Sequence, residues 1–230
     1  MHRPRGLRFR SVSRALAGAA VALAAAGGPA VAAAGPPPAV AVAPATAGPS
    51  ADAPADRTDP RTATAELTVP AIGLTELRVV PYEGTTDDGP GTRVQDRGVA
   101  ASPYGEEGGV GPGETGNYLV TAHRLSAGGP FRELPSLEKG DKVLVREGST
   151  VYEYRITETR ETSFRSERSL AEQRAEVPGE PGGKPTRAMI TLSTCATPED
   201  DAAGNFWRDA HHNPEHRIDK IGVLVSSRPA

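Results

Sequence analysis

The chain has 230 residues, enough for one ordinary domain with appendages, and carries 26 basic against 29 acidic side chains. Five of the basic residues, Arg3, Arg5, Arg8, Arg10 and Arg14, are the only charged ones before Asp52, which leaves 21 basic against 29 acidic in the remainder. That acidic body argues against nucleic acid as the partner, because binding phosphates requires a clustered basic surface.

Directly behind the arginines, Ala15 to Ala34 form an Ala-dominated apolar run, the pattern of an export segment. At about 20 residues it would also just span a bilayer. Ala32-Ala33-Ala34 offers a small-residue cleavage site, whereas Gly27, Gly28 and Pro29 weaken the run as an anchor. Residues 1–34 are therefore either a cleaved signal or a retained membrane anchor, and both leave the arginines inside and the rest of the chain outside. Residues 35–64 are Pro, Ala, Ser, Thr and Asp with almost no large apolar side chain, a composition that cannot bury enough surface to fold. They are predicted to be a disordered linker holding a domain of residues 65–228 away from the membrane.

Within that domain the signals are those of strands. Glu66 to Leu74 and Leu77 to Tyr82 are short aliphatic runs punctuated by Pro70 and Gly73. Asn117 to Ala122 is a strand delivered from the turn-rich stretch Gly105 to Gly116. Lys142 to Glu147 and Val151 to Glu158 alternate polar and apolar across Gly148-Ser149, as a hairpin does. Arg187 to Ser193 and Arg217 to Val225 add two more strands, and only Pro130 to Leu137 and Ser166 to Ala175 look helical. Many short strands with few helices predict an all-β fold, a closed or nearly closed barrel, rather than α/β layers.

The chain has a single cysteine, Cys195. Exported proteins usually pair their cysteines, so a lone one is either a buried small residue or a thiol kept for reaction. It ends the strand Ala188-Met189-Ile190-Thr191-Leu192-Ser193 and precedes a polar loop, which puts it at the mouth of a sheet. There, a neighbouring base or cation would be needed to make it a useful nucleophile. His123 likewise falls where a strand stops, a place that suits a surface or capping imidazole as well as a catalytic one. Arg217 begins the last strand, where a guanidinium could stabilise an oxyanion or simply be solvated, and Arg208 and Arg124 compete for the same role. His211, His212 and His216 suggest a metal, but Pro214 breaks the helical spacing and no Glu sits where a helical zinc-peptidase motif needs it. No metal and no cofactor are expected. Gly111 to Gly116 formally matches G-x-G-x-x-G, yet it leads into a strand and contains Pro112, so it reads as a turn.

Together these residues resemble the sortase family, and within it the class E sortases of high-GC Gram-positive bacteria. The resemblance starts at Leu67-Thr68-Val69-Pro70-Ala71-Ile72-Gly73-Leu74 and runs through Pro112-Gly113-Glu114-Thr115-Gly116-Asn117 to Thr121-Ala122-His123-Arg124. It continues at Pro130-Phe131-Arg132-Glu133-Leu134 and Lys139-Gly140-Asp141, and is most specific at Thr191-Leu192-Ser193-Thr194-Cys195. The order His, Cys, Arg is the family's order. The resemblance implies an eight-stranded sortase barrel with one or two short helices, with Cys195 as nucleophile, His123 as acid/base and Arg217 as carbonyl stabiliser, and Thr194 in contact with substrate. It implies cleavage of a C-terminal LAxTG- or LPxTG-type sorting signal between Thr and Gly on cell-surface proteins, through a thioester. Transfer to an amine of a peptidoglycan precursor follows, on the extracytoplasmic face of the membrane. Two departures stand out. Ala122 replaces a glycine common before the histidine, and the segment from Cys195 to Arg217 is longer than usual, so that residues 202–216 read as an inserted local lid. An L,D-transpeptidase is another exported β enzyme with His before Cys, but it carries S-x-G-C, and Ser193-Thr194-Cys195 lacks the glycine. A non-catalytic exported β domain with a buried Cys195 is the remaining alternative.

Overall fold

The computed structural model describes residues 59–230. The expected export segment and the linker up to residue 58 lie outside the described residues. The last six residues of the expected linker, 59–64, belong to the folded body. The Thr62 amide donates to the Asp59 carbonyl at 2.9 Å, Arg61 pairs with Glu114 at 3.1 Å, and a side chain on Gly111 would collide with the Pro60 backbone.

Strand β1 (Ala65–Val69) alternates strictly, with Ala65, Leu67 and Val69 buried and Glu66 and Thr68 facing outward. A 3-10 turn at Pro70–Ile72 ends it, closed by Gly73 at φ 65°, which lets β2 (Leu74–Glu83) fold back antiparallel. The predicted run from Glu66 to Leu74 is therefore two strands split at its proline. Helix α1 (Gly89–Gln95) opens on Asp88, whose carboxylate accepts from the Gly91 amide at 2.7 Å. It carries the chain over to β3 (Ala100–Tyr104), which lies parallel to β2. Next come β4 (Gly116–Thr121), the hairpin β5 (Lys142–Glu147) and β6 (Thr150–Ser163), and α2 (Glu167–Arg174), capped by Ser166. After β7 (Ala188–Cys195) and α3 (Thr197–Ala202), the final strand β8 is His216–Pro229.

The eight strands close in the order β1-β2-β3-β4-β7-β8-β6-β5, with β5 returning to β1. Closure leaves no open edge. Its interior is filled by Leu67, Val69, Val79, Val120, Val143, Val145, Tyr154, Ile156, Ile190 and Leu192, with Phe131 and Leu134 packed into the same core. The all-β barrel expected from the strand pattern, with the eight strands implied by the resemblance, is the fold observed. It carries three short α-helices, and the expected helix at Pro130 to Leu137 is only a 3-10 turn at Leu134–Ser136, where Pro130 and Pro135 prevent anything longer.

Candidate active site

Two pairings fix the rim. Strands β4 and β7 run parallel in a register that sets Thr121 beside Ser193, so His123 and Cys195, each two residues further on, leave the sheet at the same level. Strand β8 runs antiparallel to β7 and places Arg217 directly across from Cys195. The three residues singled out in the sequence thus meet at one end of three adjacent strands. His123 and Cys195 line a cleft of about 490 Å³ together with Thr92, Asp96, Arg124 and the segment Ala210–Pro214. A cleft of about 550 Å³ lies near the opposite end of β4, beside Asn117, Arg174 and Lys184, with no Cys, Ser or Thr in its lining.

Cys195 is half-buried and unpaired, and its thiol donates weakly to Asn213 Oδ1 at 4.0 Å. Burial pushes its pKa up, Arg217 opposes that, Asp87 and Asp209 push it further up, and Arg124 again opposes. The resting group is therefore a thiol, and forming the thiolate requires a base or a change in these neighbours.

His123 is held from both sides of its own loop: the Ala122 amide donates to the Ser193 carbonyl at 3.2 Å, and the Phe131 amide to the His123 carbonyl at 3.1 Å. Its ring Nε2 lies 2.9 Å from Asp96 Oδ1. Arg124 pairs with Glu199 of α3 at 3.2 Å, and its Nε is buried with no partner among the described residues.

Arg217 is only 1 % exposed, which for a guanidinium demands partners. Nε donates to Asp87 Oδ1 at 3.3 Å, Nη1 donates to the carbonyls of Pro214 and His216, and the plane lies 3.9 Å over the Phe164 ring. Burial opposes its charge, but Asp87, Cys195 and Asp209 together hold its pKa above the ordinary arginine value. Nη2 is buried and unpartnered among the described residues, as is Asp87 Oδ2, and Asp87 sits at φ 63° in the left-handed region. Arg208, the competitor from the sequence, is turned into its own loop, pairing with Asp201 and donating to the Trp207 carbonyl at 2.7 Å.

The long segment between Cys195 and Arg217 walls the cleft. Helix α3 starts at once after Cys195, and the following loop is tied back by Asp209, which accepts from the amides of His211 and Asn213. His211 and His212 line the cleft from this loop. His216 leaves it and pairs with Asp200 at 2.6 Å. The three histidines do not converge, and among the described residues no three His, Cys, Asp or Glu side chains form a ligand cluster. Thr194, for which the resemblance implied substrate contact, is buried and does not line the cleft. Its hydroxyl donates to the Ala122 carbonyl at 2.8 Å, a tie between β7 and β4 immediately below Cys195 and His123.

Helix α2 lies against β6, and its Gln173 reaches β7 and β8. Gln173 donates to Ser193 Oγ at 3.2 Å and to Asp219 at 3.0 Å, and it accepts from Thr86. Asp219 is wholly buried; burial drives its pKa up, and hydrogen bonds from Ser193, Thr162 and Gln173 limit the rise.

A model of the sortase domain matches residues 67–211, the span that carries β1 through the cleft-walling loop. The chain belongs to the sortase family. It is 32 % identical over 140 residues to Sortase SrtE1 of Streptomyces coelicolor, a match covering 60 % of this chain and 35 % of that protein, so it spans about a third of the relative's length. The solved sortase E of Streptomyces avermitilis is 26 % identical, with TM-score 0.52 and coverage of 75 % of this chain and 93 % of that one. Two further sortases share the fold. SrtA of Actinomyces oris has 23 % identity and TM-score 0.55 over 73 % of this chain and 82 % of that one. Sortase E1 of Streptomyces coelicolor, solved with a tripeptide in its active site, has 24 % identity and TM-score 0.54 over 74 % and 93 %.

Sequence reasoning found the three rim residues and missed their supports. Asp96 and Asp87 come from α1 and the loop before it, a Gly- and Pro-rich stretch with no periodicity, and Phe164 and Asn213 lie in segments without a motif. The adjacent acids Asp87-Asp88 carry no pattern that points to Arg217.

Proposed function

We propose that the chain is a cysteine transpeptidase of the class E type. In this reading Cys195 attacks the carbonyl of the Thr–Gly bond in a LAxTG- or LPxTG-type sorting signal, His123 takes the thiol proton and gives it to the departing glycine amine, and a thioester remains. An amine of a peptidoglycan precursor, losing a proton to His123, then attacks the thioester and expels the Cys195 thiolate, which leaves the cargo joined to the wall by an amide. Arg217 Nη2 donates to the oxyanion formed in each half.

The observation that carries this reading is the register: Arg217, buried just outside the cleft lining, stands directly across from Cys195 with both N–H groups of Nη2 unspent, while His123 lines the same cleft as the thiol. Because burial keeps Cys195 protonated at rest, a neighbouring imidazole supplies what the thiol lacks. The peptide seen in the active site of the Streptomyces coelicolor relative supports a peptide substrate. The same reading puts the domain on the outer side of the membrane, with residues 1–34 as its leader or anchor. Among the described residues no helix is long and apolar enough to cross a membrane.

The test is incubation with LAxTG and LPxTG peptides plus a primary amine, with products identified by mass spectrometry. Cleavage after Thr with transfer of the acyl fragment to the amine is expected. No cleavage of either peptide, or cleavage at another bond, would contradict the reading.

A further inference from the structure

An imidazole that moves protons in both halves of a transpeptidation needs one nitrogen facing the reaction and the other committed elsewhere. At His123 the committed nitrogen is Nε2, which lies 2.9 Å from Asp96 Oδ1, and no partner among the described residues approaches Nδ1. A carboxylate only accepts, so Nε2 carries a hydrogen toward Asp96 whether the ring is neutral or cationic. In the neutral ring the basic lone pair is then on Nδ1; in the imidazolium the proton available for donation is on Nδ1.

The placement of Asp96 is built rather than incidental. It caps the C-terminus of α1, its amide donating to the Thr92 carbonyl at 2.9 Å, and the other end of α1 is fixed by the Asp88 cap. After Asp96 the chain turns at Gly98, φ 75°, whose amide donates to the Gln95 carbonyl at 2.9 Å. A Cβ at Gly98 would stand 3.2 Å from the Ala127 carbonyl, so the turn after Asp96 presses against the segment that follows His123. That contact holds the end of α1 against the His123 loop beside the pair. Thr92 and Asp96 also line the cleft that holds Cys195.

We propose that Asp96 is a positioning residue for His123: its carboxylate orients the ring and fixes the tautomer in which Nδ1 is the nitrogen that exchanges protons with the substrate. The inference rests on the transpeptidase reading above and adds to it a fourth residue, one that acts through His123. Asp96 is 59 % exposed, so water competes for both partners and its effect is smaller than that of the buried aspartate of a serine-protease triad. A loss of about 10-fold to 10²-fold in kcat is the scale expected, against roughly 10⁴ for the buried case. Asp96→Asn should lose more than Asp96→Ala, because the amide can rotate to donate to Nε2 and so favour the wrong tautomer. Asp96→Glu should recover part of the loss.

The experiment uses the full-length chain and two readouts. Steady-state kinetics with the signal peptide and an amine should show kcat falling in the order Glu, Ala, Asn with KM little changed. Nitrogen NMR of ¹⁵N-labelled histidine, assigned with His123→Gln, should show the hydrogen on Nε2 in the wild type and a shift of population to Nδ1 in Asp96→Asn. Wild-type kcat in all three variants, a faster Asp96→Asn enzyme, or a wild-type hydrogen on Nδ1 would overturn the proposal. If the wild type itself fails to turn over peptide, the transpeptidase reading fails first, and the tautomer measurement still decides whether Asp96 fixes the ring.

Discussion

Replacing Arg217 by Met removes a guanidinium that the fold uses and that the proposed chemistry calls on, and the two losses can be separated. The side chain is almost completely buried, and with it go the ion pair to Asp87, two donations to backbone carbonyls and the stack on Phe164. What remains is the Asp87 carboxylate, itself 9 % exposed, with no counter-charge. Breaking one partner out of a buried pair costs about 3–5 kcal/mol. For a domain of this size, at about 2–4 °C per kcal/mol, that is a fall in Tm of roughly 6–20 °C. Adding Asp87→Asn removes the stranded charge, and Asn also tolerates the left-handed backbone at that position, so the double variant should recover most of the lost Tm. It should not recover cleavage, because the unspent Nη2 donor is gone in both, and loss of such a donor lowers kcat by about 10²–10³. Differential scanning fluorimetry and peptide-cleavage rates on the wild type, Arg217→Met, Asp87→Asn and the double variant give the full cycle. A double variant with near wild-type kcat would refute the role given to Arg217. A single variant that melts with the wild type would refute the account of its burial.

Other outcomes follow from neighbouring features. Because burial and Asp87 both push the Cys195 thiol up, iodoacetamide labelling should be slow at pH 7 and climb toward alkaline pH, and Asp87→Asn should label faster at pH 7; a rate already flat below pH 7 would contradict this. The His216–Asp200 pair tests linkage: burial opposes but the Asp200 hydrogen bond and charge prevail, raising the His216 pKa, so its contribution is complete below the ordinary histidine value of about 6.5 and is lost as pH rises through the raised one. The Tm gap between wild type and His216→Gln should therefore be wider at pH 6 than at pH 9, and a gap that widens upward would reverse the sign. Deleting residues 1–58 should leave Tm unchanged. Deleting 1–64 removes the Arg61–Glu114 pair and the Pro60 packing and should cost about 1–2 kcal/mol, and equal melting of the two truncations would show that residues 59–64 are idle.

Most of the barrel was legible because seven of its eight strands carry an apolar signal, either alternation, as in β1, or a continuous apolar run, as in β4 and β7. Strand β3, Ala100–Tyr104, was not: Ala-Ala-Ser-Pro-Tyr has little β propensity, and it is a strand because β2 and β4 hydrogen-bond to it from both sides. Strand β6 extends to Ser163, past its predicted end at Glu158, through a polar run with no hydrophobic signal, since β8 pairs with it as far as His216. Helix α1 contains two glycines and a proline in seven residues, so its propensity speaks against it, and a good cap at Asp88 sustains it. The rim trio was visible through strand ends and a family motif, whereas its carboxylates were invisible. Asp87 precedes Arg217 by 130 residues and Asp96 precedes His123 by 27, distances that only closure of the barrel brings together.

Acylation of Cys195 by a peptide carbonyl can be read by intact-mass spectrometry. The protein is mixed with an LAxTG-type peptide without added amine, quenched in acid within seconds and weighed. An adduct equal to the peptide fragment ending at Thr, mapped to Cys195, discharged by hydroxylamine or by a primary amine, and missing in Cys195→Ala, is expected. Peptide cleavage that persists in Cys195→Ala would contradict it, and so would an adduct mapped to any other residue.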